Sequence, residues 1–318
     1  MAKKKMLICG ATGFIGRNMA EYFAKQNDFE VYGTFHGSKP YDYPGIKLIK
    51  TDLRDAANVD KVVAGMDAII QAAATTSGAK DTVYKPYYHV TDNAVMNSLI
   101  YRSAFEHKVS HVIFFSCTTM YPASDKPLKE NDFDANKGVP PSYFGVGWTK
   151  VYLEKMCEFY ARLGQTKFTA IRHSNIYGPY DKYDLERSHV FGATVAKVMT
   201  AAEGGAITVW GTGDEARDLL YVSDLVDFVD RVLKKQKNPF ELVNLGCGCA
   251  VSINEIVKKI IRHAGKNIVI KHDTDKPTIK TSLCVDATKA EELFGWHSTI
   301  SLDEGIAKTL DWYQKNIR

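Results

Sequence analysis

Three glycines spaced three residues apart, in the run Leu7-Ile8-Cys9-Gly10-Ala11-Thr12-Gly13-Phe14-Ile15-Gly16-Arg17, constrain this chain more than any other feature. A short apolar stretch breaks at Gly10 and helical periodicity resumes at Phe14, so the segment reads as strand, tight turn and helix. Glycine lacks a Cβ, which lets the backbone turn sharply, approach a bound group closely and pack the helix onto the strand. The start of that helix offers N–H groups without an intrahelical partner, and an anion such as a pyrophosphate satisfies them. The spacing is Gly-x-x-Gly-x-x-Gly rather than Gly-x-Gly-x-x-Gly, and a glycine-rich turn alone also serves as an ordinary strand-to-helix corner. A dinucleotide-binding reading requires the turn to sit on the first strand of an alternating chain, as it does here.

The alternation predicts a strand near residues 6–10, a helix over 14–26, strands at 30–35 and 46–50, a helix at 56–63, a strand at 67–73, a helix at 87–107 and a strand at 111–117. A second set follows: a helix at 142–163, a strand at 167–172, a helix at 190–202, a turn-rich stretch over 204–218, a helix at 223–235 and a strand at 240–245. Ser252 N-caps an amphipathic helix that runs to His263. This order predicts an α/β chain with a doubly wound, Rossmann-type parallel sheet and ligands at the carboxyl ends of the strands. No repeat or low-complexity linker separates two units, so the chain is expected to cross between lobes. Residues 1–175 plus 219–250 are expected to form an NAD(P)-binding domain, and 176–218 plus 251–318 a smaller α/β substrate-binding lobe.

Composition narrows the function. The net charge of +4 over 318 residues is spread along the chain, which makes no case for nucleic acid. No run reaches membrane-spanning length, and the basic start, Met1 to Lys5, leads into a strand with no apolar leader region. The six cysteines, including Cys247-Gly-Cys249, lack metal-ligand spacing, so reduced thiols in a cytoplasmic protein and no metal site are expected.

Residue types along the first half suggest where a nicotinamide cofactor lies. The turn residues Gly10, Thr12, Gly13, Phe14, Ile15 and Gly16 face its pyrophosphate in this reading. No acid at the end of the second strand awaits a ribose 2′-hydroxyl; His36, Ser38 and Lys39 there are suited to a 2′-phosphate, which favours NADP(H) over NAD(H). In Thr51-Asp52-Leu53 the carboxylate either caps the next helix or meets the adenine amino group. Ala72-Ala73-Ala74, continuing to Ser77-Gly78, is a small-residue strand end of the kind that lets backbone lie against a cofactor.

Together with Asn175-Ile176-Tyr177-Gly178-Pro179, the run from Arg217-Asp218-Leu219 to Asp224-Leu225, and Val243-Asn244-Leu245-Gly246, these motifs resemble the extended short-chain dehydrogenase/reductase (NAD-dependent epimerase/dehydratase) family across essentially the whole chain. Cys117 to Pro122, Ser188-His189-Val190 and Val209 to Gly213 with Arg217 are most similar to its GDP-L-fucose synthase branch. The resemblance implies a nucleotide-sugar substrate, GDP-linked, surrounded by Thr119, Asn175, Ser188, His189, Val190, Lys197, Trp210 and Arg217. It implies a cofactor beside Lys150 and His173, a homodimer built on helices 90–107 and 145–163, and work in polysaccharide precursor synthesis.

The chain departs from that family where the chemistry belongs. The family carries a Tyr four residues before the Lys, one helical turn away, where the ammonium lowers the phenol pKa. Here Lys150 occupies the Lys position and Val146 the Tyr position, and a valine carries no proton. Cys117 replaces the usual Ser or Thr, and Thr119 replaces the cysteine of the epimerising pair, leaving only His189 of that pair. Three readings follow. The first is redox chemistry at C4 of the sugar, as a 4-dehydrogenase or a 4-keto reductase, with Tyr143, Tyr121, Cys117, Thr118 or a water moving the proton. The others are a catalytically inert binder of sugar nucleotides and a non-redox epimerase or dehydratase with a tightly bound cofactor.

Overall fold

A computed structural model of the protein describes residues 3–76, 84–185, 188–276, 278 and 281–317. Ser77-Gly78, the end of the small-residue stretch, lies outside the described residues. Seven strands form the central sheet: β1 (Lys4–Cys9), β2 (Phe29–Phe35), β3 (Ile46–Lys50), β4 (Ala68–Gln71), β5 (His111–Phe115), β6 (Lys167–His173) and, later in the chain, β11 (Phe240–Leu245). Their order is β3-β2-β1-β4-β5-β6-β11, and every pairing is parallel. The order reverses at β1, between β2 and β4, so the crevice beyond the carboxyl end of β1 is the place where such a sheet takes a ligand.

Both faces of the sheet are covered, because alternate residues of a strand point to opposite sides. Met6 and Ile8 of β1 join a core with helix α1 (Phe14–Ala24) through Met19 and Phe23. Leu7 and Cys9 join a second core under α2 (Ala56–Val63), α3 (Thr91–Glu106) and α4 (Phe144–Arg162). The first core also takes Phe228 from α6 (Val222–Lys235), and Phe294 from α8 (Thr288–Phe294). Ala290, Phe294 and Trp296 thus pack with the sheet, although the sequence reading groups residues 251–318 with the other lobe. Burial of the Trp296 indole decides this, with its Nε1–H donated to the Asp224 carbonyl at 2.9 Å.

A third core holds Phe191 and Val195 of α5 (Val190–Thr200), Ile256 and Ile260 of α7 (Ile253–His263), and Ile306 and Leu310 of α9 (Leu302–Asn316). Ser252 caps α7 by accepting from the Glu255 N–H at 3.2 Å. The stretch expected to be turn-rich contains β8 (Ala206–Trp210), which pairs in parallel with β13 (Val269–Asp273). Their partners lie some sixty residues apart, and a single short strand carries no local mark of such pairing. Shorter strands complete this region: β7 (Asn175–Tyr177) with β10 (Leu219–Tyr221), and β9 (Ala216–Arg217) between β12 (Val251–Ser252) and β14 (Ser282–Leu283). Among the described residues no helix is long and apolar enough to cross a membrane.

Candidate active site

The glycine turn is as tight as its spacing requires. Gly10 has φ +74°, and a Cβ there would come within 2.8 Å of the Ala73 Cα; a Cβ on Gly16 would meet the Gly10 carbonyl oxygen at 2.2 Å. Gly16 therefore packs helix to strand and does not itself line the cleft, while Gly10, Thr12, Gly13, Phe14 and Ile15 do. The N-terminus of α1 begins at Gly13 with no side-chain cap, and Gly13, Phe14 and Ile15 at this end line the cleft. This cradle fits a dinucleotide pyrophosphate.

The cleft has a volume of about 980 Å³ and runs from the carboxyl ends of β1, β2 and β4 to the lobe built on α5 and β8. At one end it is lined by His36, Ser38, Asp52, Leu53 and Ala72 to Ala74, whereas Lys39 is exposed beyond it. Asp52 does not cap α2; Asp55 does, accepting from the Asn58 N–H at 2.9 Å. The Asp52 carboxylate instead holds Arg54 at two points, Nε and Nη2, each at 2.9 Å, and these bonds keep its pKa near 2. Arg54 also lines the cleft and reaches Asp92 at 3.2 Å, a cation at this end that the sequence reading missed. Missed too were the buried amides that set the backbone of 71–75. Gln71 accepts from the Ala73 N–H at 3.2 Å, and Asn93 accepts from the Thr75 N–H and donates to the Thr75 carbonyl, both at 2.9 Å. Polar side chains in mid-strand and mid-helix are the signal that marks them.

Lys150 projects from α4 into the middle of the cleft and donates to the Phe115 carbonyl at 2.7 Å, with the Phe114 ring 4.8 Å from its Nζ. Burial lowers its pKa, and neighbouring Cys117 and Glu154 oppose that shift. His173 sits nearby, its pKa brought down to about 4 chiefly by burial, with Nδ1 2.7 Å from the Ser174 carbonyl. Val146, Cys117, Thr118, Thr119 and Tyr143 all line the same part of the cleft. The Cys117 thiol is hydrogen-bonded to the Thr119 hydroxyl at 2.9 Å. Burial raises the Tyr143 pKa, and the Arg217 guanidinium works against it by favouring the phenolate.

Tyr121 is elsewhere. It is 1% exposed, accepts from Arg172 Nη1 at 2.9 Å and donates to Asn244 at 2.8 Å. Burial lifts its pKa to about 12. Its hydroxyl belongs to a buried network and not to the cleft, which removes Tyr121 from the proton-transfer candidates.

The residues implied by resemblance for the nucleotide sugar, Asn175, Ser188, His189, Val190, Lys197, Trp210 and Arg217, also line the cleft. Lys197 donates to the Thr208 carbonyl at 2.7 Å and lies 5.9 Å from the Trp210 ring centroid. Arg217 donates to the Thr281 carbonyl at 2.6 Å. The Ser188 hydroxyl is taken up by its own loop, bonded to the Lys182 carbonyl and the Asp184 N–H. His189 opens to the cleft, and burial by its walls, with Lys182 and His89, lowers its pKa.

Known proteins resemble this chain in sequence and in fold. The chain is 27% identical over 313 residues to the GDP-L-colitose synthase of Yersinia pseudotuberculosis, covering 97% of both chains. It is 26% identical over 315 residues to the GDP-L-fucose synthase of Azorhizobium caulinodans, covering 98% of this chain and 96% of the other. Its fold matches that of a UDP-glucose 4-epimerase from Thermotoga maritima with a TM-score of 0.84, at 24% identity, over 99% of this chain and all of that one. Residues 6–246, which carry the glycine turn, the sheet, Lys150 and the Arg217 segment, match the pattern of one family along their whole length, and the chain is a member of it: the NAD dependent epimerase/dehydratase family.

Proposed function

We propose that the protein is an oxidoreductase acting at C4 of a nucleotide sugar, with GDP as the carrier and NADP(H) preferred over NAD(H), in polysaccharide precursor synthesis. The observation that carries this reading is the grouping of Tyr143, Cys117 and Lys150 around one part of the cleft, where Val146 leaves no phenol of its own. When bound, the nicotinamide supplies or accepts the hydride. Tyr143 gives or takes the proton at the C4 oxygen, and Arg217 stabilises its phenolate. The Lys150 ammonium, fixed by the Phe115 carbonyl, holds positive charge beside that proton path. Lys197 and Arg217 neutralise the diphosphate, and the Trp210 indole offers a flat face to the nucleotide. Asp52 and Leu53 face the adenosine end of the cofactor. The GDP-linked products named for the two relatives at 26% and 27% identity support the choice of carrier.

In this reading residues 1–175 and 219–250, with 288–296, hold the cofactor, and the α5, α7 and α9 lobe holds the sugar nucleotide. A homodimer is proposed on α3 and α4, whose outward side chains Val95, Tyr152 and Phe159 are 40%, 49% and 56% exposed. The decisive experiment adds GDP-mannose or a GDP-4-keto-6-deoxy sugar to the protein loaded with oxidised or reduced nicotinamide and follows cofactor absorbance. A stoichiometric change supports hydride transfer; no change with either sugar, although both bind, rejects it.

A further inference from the structure

Tyr180 holds a left-handed backbone, φ +69°, which side chains other than glycine adopt only under constraint. Helices α1 and α9 supply the constraint. The Arg17 guanidinium of α1 stacks 4.0 Å from the centroid of the Tyr180 ring and 4.1 Å from that of Tyr41. The Tyr180 hydroxyl donates to Glu21 at 3.1 Å, and Arg17 pairs with the same carboxylate at 2.9 Å. Trp312 of α9 meets the ring edge-on at 4.9 Å, and Asn18 donates to the Pro179 carbonyl at 2.9 Å.

The turn so held directs the next residue, Asp181, into the cleft wall. Its Oδ1 accepts from the Lys182 N–H at 2.7 Å, and among the described residues no donor is bonded to Oδ2. The Lys182 ammonium goes elsewhere, across the cleft to the Thr76 carbonyl at 3.1 Å. Gly192 of α5 makes room for the pair, since a Cβ there would lie 2.3 Å from the Lys182 carbonyl oxygen and 3.2 Å from Asp181 Oδ2. Asp181 is half-buried on the cleft wall, so its uncommitted oxygen is open to water or to a ligand that brings a donor. Partial removal from water raises its pKa to about 7.

We infer that Asp181 is a specificity-determining substrate contact, its Oδ2 accepting a hydrogen bond from a hydroxyl of the sugar, with Arg17 and Tyr180 as its positioning residues. The inference rests on the nucleotide-sugar reading above. A carboxylate repels the diphosphate, and Gly192 and Lys197 are separated by about 7.5 Å of helix rise, which sets Asp181 toward Thr76 and His189 and away from the Lys197–Trp210 end.

Calorimetric titration of the cofactor-loaded protein with GDP-mannose and with GDP tests it. Asp181→Asn should weaken GDP-mannose about tenfold, the scale of one charge-assisted hydrogen bond, and leave GDP within about twofold. Arg17→Met should weaken GDP-mannose about threefold, again sparing GDP. Equal losses for GDP and GDP-mannose, or unchanged GDP-mannose affinity in Asp181→Asn, overturn the inference alone. A wild-type protein that binds neither compound overturns the nucleotide-sugar reading and this inference with it.

Discussion

Arg172 and Glu154 face one another through two hydrogen bonds, Nε to Oε1 at 2.9 Å and Nη2 to Oε2 at 2.7 Å, with both side chains 4% exposed. Glu154 also accepts from the Ser116 hydroxyl at 2.6 Å, so the pair ties α4 to β6 and to the end of β5, directly behind Cys117. Removing one partner leaves the other charge buried alone. Glu154→Leu is expected to destabilise the protein by about 3–5 kcal/mol, read in denaturant unfolding. A loss below about 1 kcal/mol would mean that Arg172 finds water or another acceptor.

Turnover should depend on Tyr143 and not on Tyr121. Tyr143→Phe is expected to lower the rate about a hundredfold with unchanged cofactor affinity, the lower range for a positioned proton carrier. Tyr121→Phe cuts the Arg172–Asn244 network and costs stability, yet should leave the rate of the folded enzyme within about threefold. Steady-state kinetics on both variants checks this, and a wild-type rate in Tyr143→Phe would move the role to Cys117, Thr118 or water.

Restoring the family tyrosine should not help. Val146 lines the cleft one turn before Lys150, and a phenol there would enter space beside Tyr143 that substrate or water occupies in the proposed chemistry. Val146→Tyr is expected to leave hydride transfer unchanged or lower. A marked rise with a GDP-4-keto sugar would instead identify a chain that had lost its acid.

Cofactor preference follows from the groups at the end of β2. His36 and Ser38 line the cleft, and Arg54 adds a cation beside Asp52. NADP(H) is expected to bind about tenfold tighter than NAD(H), the scale of one charge-assisted hydrogen bond. Fluorescence titration of the two reduced cofactors decides, and equal affinities would show that these groups stay with solvent or with Asp52.

Acid stability should carry the mark of His111. It is buried, bonded to the Thr169 hydroxyl at 2.8 Å, and burial first, then Lys167, lowers its pKa from 6.5 to about 4. The unfolded chain therefore takes up this proton at a higher pH than the folded one. The contribution is fully present above pH 6.5 and falls as pH drops toward 4. It amounts to about 2 kcal/mol lost by about pH 5. His111→Gln should flatten the decline of Tm between those limits, and an unchanged slope would assign acid sensitivity to other groups.

The sequence alone determined the parallel sheet, because the glycine turn and the apolar periods are local properties that each segment carries by itself. It also made legible most of the cleft wall, since family motifs mark Lys150, Asn175, His189, Trp210 and Arg217 whatever their distance in the chain. Tertiary structure decided what depends on side chains meeting across elements. Tyr121 and Tyr143 read alike in one dimension, and only packing against Arg172 or Arg217 separates a buried structural hydroxyl from one that opens to the cleft. Asp52 and Asp55 compete for the same cap until the turn shows which carboxylate reaches the N–H. Trp296 changes lobes through one burial, and Asp181 enters the cleft because Tyr180, Arg17 and Trp312, drawn from distant segments, hold a backbone angle that no local pattern records.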